Sequence, residues 1–165
     1  MMKIGLISDT HGWLDERVFS DFAFCDEIWH AGDFGTAEIA QELKKFRPVR
    51  GVFGNIDGQD IRTEFPEKLI WTCESIKVYM THIGGYPPNY NPSVKKILAA
   101  ESPQLFICGH SHILKILYDD KIKCLHMNPG AAGRQGWHKV RTLIRFTIDG
   151  REMRDGEVIE LGDRG

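Results

Sequence analysis

The chain has 165 residues, 21 basic against 23 acidic side chains and a formal net charge of −2, so no global field draws it to nucleic acid. That length suits a single domain, 1–165, burying roughly 70% of the surface its unfolded chain exposes, with no need of disulfides. Met1 to Ile7 is too short for a secretory signal core and no apolar run nears the ~20 residues of a membrane span, so a cytoplasmic protein without a membrane partner is expected.

The first element is Lys3 to Ile7, a branched aliphatic run with the length of a buried strand, which ends abruptly in Ser8-Asp9-Thr10-His11-Gly12. If the chain stays extended, Asp9 and His11 project to one side and aim at a point beyond the strand end. Such crevices are where open α/β sheets bind ligands. Leu14 to Phe24 carries Leu14, Val18, Phe19, Phe22 and Ala23 at helical spacing and predicts a helix. Glu27 to Asp33 is a short strand running into Gly32-Asp33. Thr36 is placed to cap a second helix with Ile39, Ala40, Leu43 and Phe46 as its buried stripe, ending before Pro48. Val49 to Phe53 is a third strand and closes on Gly54-Asn55-Ile56-Asp57-Gly58. Three strand-helix units in succession predict parallel strands.

The pattern then changes to antiparallel. Lys68 to Cys73 and Ile76 to Thr81 flank Glu74-Ser75 as a hairpin, and the second strand runs into His82. Tyr86 to Pro92 reads as an irregular proline-rich loop, Pro92 to Ala100 as a helix with proline in its first turn. Leu105 to Cys108 is an apolar strand ending at Gly109-His110-Ser111-His112. Leu114 to Tyr118, Ile122 to Met127, Thr142 to Ile148 and Glu157 to Leu161 complete the strands. Cys25, Cys73, Cys108 and Cys124 lack any Cys-x-x-Cys spacing and read as buried small apolar residues.

Five strands therefore end in side chains able to ligate a metal: Asp9 and His11, Asp33, Asn55, His82, and His110 with His112. Seven oxygen and nitrogen donors at one sheet edge exceed the needs of one divalent ion. Without a thiolate among them, they point to two ions of the manganese, iron, cobalt or zinc type.

The ordered blocks Asp9-Thr10-His11, Gly32-Asp33, Gly54-Asn55, His82, Gly109-His110-Ser111-His112 and Asn128-Pro129-Gly130 resemble the calcineurin-like metallophosphoesterases. The likeness is to the small single-domain bacterial and archaeal members, which share their fold with a retromer subunit. It implies an α+β fold, a four-layer α/β/β/α sandwich of two mixed sheets flanked by helices. It also implies that Asp9, His11 and His112 hold one ion, that Asn55, His82 and His110 hold the other, and that Asp33 bridges them. Manganese is the first expectation, with Fe, Co, Ni and Zn admitted by the same donors. The implied activity is hydrolysis of phosphodiesters, and secondarily monoesters, by hydroxide formed from a water between two ions about 3.5 to 4 Å apart. Asp33, Asn55 and His82 are the expected catalytic residues, Asn55 by steadying a phosphoryl oxygen. Asn128-Pro129-Gly130 is expected as a structural turn.

Three departures from the family pattern stand out. Ile56 follows the Gly-Asn pair where larger relatives carry a histidine that protonates the leaving group, His82-Ile83-Gly84 lacks a second histidine, and Ala131 replaces a serine. Trp13, Tyr86 and Tyr90 either wall the site and stack on substrate or pack their loops onto the sheet. His30, His126 and His138 are expected to be core histidines or supports for ligands. Arg134, His138 and Arg141, after the last motif, either approach a phosphate or lie at the surface, and surface placement is the expectation. The expected partner is a small phosphate ester, nucleotide-like if the aromatic residues stack on it. The sequence neither requires nor excludes a homo-oligomer. A non-catalytic metal-binding interaction scaffold of the same fold is the alternative, and the completeness of the seven-residue ligand set argues against it.

Overall fold

A computed structural model describes residues 1–165. Strand β1 (Met2–Ile7) is central because Ile4, Leu6 and Ile7 are fully buried between layers. After it the predicted eleven-residue helix shrinks to α1 (Arg17–Asp21). The Asp15 carboxylate accepts the Arg17 N–H at 2.9 Å, an Asx turn that holds the preceding residues outside the helix. Val18 and Phe22 still dock where the helical spacing placed them. β2 (Glu27–His30) and β3 (Val49–Gly51) pair parallel with β1 and with each other in turn. Between them α2 (Ala37–Phe46) buries Ile39, Ala40 and Leu43. Thr36 occupies its N-cap with extended backbone, but its side chain makes no capping hydrogen bond.

Helix α3 (Gln59–Glu64) is absent from the sequence reading because its six residues bury only Ile61 and show no period. The hairpin of β4 (Lys68–Cys73) and β5 (Ile76–Thr81) has the predicted turn, with Cys73 opposite Ile76. The proline-rich segment is not wholly irregular: β6 (Gly85–Tyr86) and β7 (Asn89–Tyr90) form a two-residue ladder around Pro87-Pro88. α4 (Pro92–Glu101), β8 (Leu105–Ile107), β9 (Leu114–Asp119) and β10 (Cys124–Pro129) follow. β11 (Val140–Asp149) and β12 (Glu152–Asp163) form a hairpin longer than the sequence suggested, because exposed charged residues mask the alternation in β12.

The strands make two five-stranded mixed sheets, ordered β12-β11-β1-β2-β3 and β4-β5-β8-β10-β9. Ile4, Leu6 and Trp29 of the first meet Val78, Met80, Leu105 and Ile107 of the second in the central core. α1 and α2 cover the outer face of the first sheet through Val18, Phe22, Ile39 and Leu43. α4 covers the second through Val94 and Leu98, against Tyr79 and Phe106. The result is the four-layer α/β/β/α sandwich. At about 1.5 to 3 kcal/mol per fully buried aliphatic side chain, these clusters hold the fold with all four cysteines free and buried. No helix is long and apolar enough to cross a membrane.

Candidate metal centre

All seven predicted donors lie in the loops that leave β1, β2, β3, β5 and β8. The reason they converge differs from the extended-chain argument. Asp9, His11, Asp33, His110 and His112 have φ of 54°, 47°, 59°, 70° and 61°, in the left-handed region. There the chain turns back on itself, so Asp9 and His11 meet by curvature and not by strand alternation. Such backbone costs about 1 to 3 kcal/mol per non-glycine residue and persists where the surroundings enforce it. Here Asp9 N, His11 N and Gly12 N bond to the carbonyls of Gly32, Asp33 and Phe34, lacing the first two loops together. From the other side Ala132 N and Gly133 N bond to Ser8 O and Asp9 O.

Two groups of donors result: Asp9, His11 and His112, and Asp33, His82 and His110, with the ligand atoms of each group within 4.8 Å of one another. Asp9 is fully buried, His110 exposed. Asp9 Oδ1 lies 3.7 Å from His11 Nε2, 3.2 Å from His112 Nε2 and 3.8 Å from His82 Nε2. Asp33 Oδ2 lies 3.2 Å from His82 Nε2 and 3.5 Å from His11 Nε2, so one oxygen reaches a member of each group. Asn55 Oδ1 is 3.1 Å from His110 Nδ1.

Each carboxylate is held by one oxygen and presents the other. Asp9 Oδ2 accepts Ser8 Oγ–H at 2.6 Å and His110 N–H at 3.1 Å. Asp33 Oδ1 accepts Ile56 N–H at 3.1 Å. His82 Nδ1–H donates to Ala31 O at 2.7 Å, which leaves Nε2 with its lone pair toward the cleft. Gly32 permits this approach, since a Cβ there would sit 2.6 Å from His82 Nδ1 and its φ is +105°. Asp9 Oδ1, His11 Nε2 and His82 Nε2 are buried without any hydrogen-bond partner. Buried polar atoms in that condition are costly unless something binds them. Ligand atoms 3.2 to 3.8 Å apart suit a shared cation with bonds of about 2.0 to 2.2 Å. The donors therefore fit divalent metal ions.

The titration of the metal-free site follows from the same contacts. Burial pushes the Asp9 carboxyl up, but His11, His112 and the charge of His82 outweigh it and hold the group well below the usual carboxylate range. Asp33 is also lowered, by His82 against the cost of burial. The Asp9 carboxylate raises His11 against the cost of burial. For His82, burial acts downward but Asp33 and Asp9 raise it overall. Burial lowers His110, and the charge of His82 adds to that.

Several supports were not legible. Asp57 is buried and fully engaged by backbone. Its Oδ2 accepts the N–H groups of Asp33, Phe34 and Gly54 at 3.0, 3.2 and 2.8 Å, and its Oδ1 accepts that of Gly35 at 2.9 Å. It thus clamps the β2 and β3 loops. Arg62 Nε–H donates to Asp57 O at 2.6 Å. The sequence signal was the aspartate three residues after Gly54, a spacing at which a side chain can accept that glycine's N–H. His30 is the expected core histidine: burial lowers it to about 3, so it is neutral, Nδ1 accepting Gly32 N–H and Nε2 meeting Thr10 Oγ1 at 3.1 Å. His126 is likewise buried and lowered to about 4. Asn128 is structural, donating to Gly109 O at 3.0 Å and accepting Gly130 N–H at 3.0 Å.

The aromatic candidates separate. Tyr86 is 43% exposed and, with His110, Ser111, Ile113 and Lys115, lines a cavity of about 190 Å³ beside the second donor group. Lys115 Nζ sits 3.7 Å above its ring. Tyr90 does not line that cavity; its hydroxyl donates to Asp119 at 2.7 Å and its ring meets Phe106 edge-on. Trp13 lies beside His11 in a cleft with Arg134, and the guanidinium groups of Arg134 and Arg141 are 4.5 and 4.7 Å from its ring centre. Arg141 is a correction: it is buried, because Asp15 pairs with it at 2.7 Å. His138 is half-buried, its Nε2–H donating to Gly133 O at 2.8 Å. Ile56 is 47% exposed, and its N–H reaches Asp33 Oδ1.

Residues 2–151 match the calcineurin-like phosphoesterase superfamily domain. A probable metallophosphoesterase of Methanothermobacter thermautotrophicus is 30% identical over 98% of this chain and 94% of its own. Among solved structures, Vps29 from Entamoeba histolytica complexed with Zn²⁺ superposes with a TM-score of 0.75 at 16% identity, covering 99% of this chain and 100% of that one. A structure described as a novel archaeal phosphodiesterase gives a TM-score of 0.73 at 23% identity, covering 96% of this chain and 100% of its own.

Proposed function

The chain belongs to the calcineurin-like phosphoesterase superfamily, and on that premise we propose that it is a dinuclear metal-dependent phosphodiesterase. The observation that carries this reading is the set of buried, unpartnered donor atoms, Asp9 Oδ1, His11 Nε2 and His82 Nε2, within two adjoining donor groups. Asp9, His11 and His112 would hold one ion and Asn55, His82 and His110 the other, with Asp33 placed within reach of both groups. Two divalent ions, with manganese first and Fe, Co, Ni or Zn admitted by the donors, supply when bound the Lewis acidity that polarises a phosphoryl group and acidifies a water.

The chain's own groups set the geometry for that chemistry. Ser8 and His110 N–H aim Asp9, Ile56 N–H aims Asp33, and Ala31 O fixes the His82 tautomer. The Asn55 amide steadies a phosphoryl oxygen. Ile56 carries no proton to give, so the leaving group departs without a side-chain acid at that position. Tyr86 offers a flat apolar face in the cavity beyond His110, which suits an aromatic or base-like alcohol. The choice of a diester over a monoester is supported by the likeness to a structure described as a phosphodiesterase.

Elemental analysis after Mn²⁺ loading, combined with a panel of phosphate esters, tests the reading. Two metals per chain and faster turnover of aryl diesters than aryl monoesters are expected. Asp33→Asn should weaken both ions and lower turnover by at least about 10³-fold. No more than one metal per chain overturns the dinuclear assignment; two metals without turnover of any ester favour the interaction scaffold.

A further inference from the structure

β9 is the last strand of its sheet, bonded to β10 on one side only. Its apolar side chains are exposed on both faces. Leu114, Ile116 and Tyr118 on one face are 36%, 46% and 53% exposed, and Leu117 on the other is 42% exposed. Sheet edges that stay single are normally blunted by charges, proline or a covering segment. In β9 only Lys115 and Asp119 carry charge.

The direction of β10 fixes which β9 backbone groups are free. Leu125 N bonds to Gln104 O, and Met127 O accepts Cys108 N–H, so these residues face β8. Cys124, His126 and Asn128 therefore face β9, where they oppose Asp119, Leu117 and Lys115. Because N–H and C=O directions alternate along a strand, the groups of Leu114, Ile116 and Tyr118 point to the open edge.

We propose that β9 pairs antiparallel with β9 of a second copy of this chain about a twofold axis at Leu117, joining the two five-stranded sheets into one. Only outward-facing residues can bond across such an axis, so it passes through a residue and not between two. One at Lys115 sets that lysine against its own copy; in the middle of the strand this leaves Ile116, Leu117 or Tyr118. An axis at Ile116 sets Lys115 opposite Leu117, and one at Tyr118 sets Lys115 opposite Lys121, like against like. The axis at Leu117 sets Ile116 opposite Tyr118 as a backbone-bonded pair. It also sets Lys115 opposite Asp119, an opposite-charge cross-strand pair that the twofold repeats. Charge complementarity thus selects one register and one occupant, a copy of the same edge. The assembly is independent of the catalytic reading, although Lys115 and Ile113 also line the cavity beside His110.

In this register Leu117 meets its own copy at a non-hydrogen-bonded position, where Cα atoms approach to about 4.5 Å, a separation that a disulfide spans. The four native cysteines are buried and do not compete. Sedimentation equilibrium of the full chain should show a dimer. Ile116→Lys should be monomeric with an unchanged circular dichroism spectrum, since that side chain is largely exposed. Under mild oxidation Leu117→Cys should be trapped as a covalent dimer and Ile116→Cys should not. A monomeric parent, as expected if the edge serves a different protein, overturns the proposal. So does a dimer that survives Ile116→Lys, or cross-linking at 116 in preference to 117.

Discussion

Asp33 Oδ2 faces His82 Nε2 across 3.2 Å with no hydrogen bond to that nitrogen. With Nδ1–H committed to Ala31 O, a neutral His82 offers only a lone pair, and so does the carboxylate. Two acceptors at that distance repel unless a cation sits between them, and the choice is a proton or a metal ion.

The pH dependence of the metal-free protein follows from that choice. His11 and His82 are raised above the ordinary imidazole value of 6.5, so their contribution to stability is complete below 6.5 and is lost as pH rises through the raised values. Asp9 and Asp33 lie below the ordinary 3.8, so their contribution is complete above 3.8 and is lost as pH falls through the lowered values. The buried His30 and His126, lowered to about 3 and about 4, act in the opposite sense to His11 and His82, their contribution being complete above 6.5 and lost as pH falls below it. Chelator-treated protein should therefore be most stable near pH 6.5, losing Tm on the acid side through His30 and His126 and on the alkaline side through His11 and His82, where added Mn²⁺ restores it. Thermal melts from pH 4 to 9, with and without metal, check this; a metal-free Tm that climbs steadily past pH 7 contradicts it.

Asp57 provides a stability test separate from the ligands. Asp57→Ala leaves four backbone N–H groups without their acceptor, at about 1 to 3 kcal/mol for each that water cannot reach. A loss of at least about 3 kcal/mol in denaturant unfolding is expected, with weaker metal binding. Asp57→Asn, which keeps one carbonyl oxygen, should fall between. A loss of under about 1 kcal/mol for the alanine variant would show that the clamp is redundant.

Ile56 bears on the leaving group. The slope of log kcat/KM against leaving-group pKa should be steep for the parent and shallower for Ile56→His, because a positioned acid contributes about 10² to 10⁴-fold with poor leaving groups. The two slopes are to be measured with aryl and alkyl diesters under conditions where chemistry limits the rate. A flat parental plot, or equal slopes, excludes this position as the determinant of substrate range.

Tyr86 and Tyr90 should diverge on substitution. Tyr86→Leu should raise KM for aryl diesters several-fold more than for small alkyl ones. Tyr90→Leu should leave that ratio unchanged and lower Tm, since its hydroxyl and ring are spent on Asp119 and Phe106. Steady-state kinetics on both ester classes separates the outcomes; a similar ratio shift in both variants would return Tyr90 to the substrate side.

The positions of the donors were legible because each polar residue follows directly on an apolar strand, a pattern that survives without knowledge of the third dimension. Their backbone was not: nothing in Asp9 or His11 announces φ near +50°, which the neighbouring loops impose. α3 left no trace because six residues with one buried side chain have no period. Arg141 looked like a surface residue because its partner, Asp15, is far away in sequence and the pairing exists only after folding. The long β11-β12 hairpin was foreshortened for a similar reason, its outer strand showing water a mostly polar face.

Asp9 and His11 leave one sheet and His112 the other; Asp33 leaves the first, His82 and His110 the second. Each donor group therefore straddles the seam, and an ion bound in either would be a rivet through two plates whose central contact is greasy side chains. Slippage of one plate over the other would have to stretch both rivets together, so ion occupancy would add to the stiffness that the hydrogen bonds across the seam already give. A cavity carved deep in the sandwich, for instance by Met80→Ala, would loosen the grip on metal from a distance, with every ligand still in place.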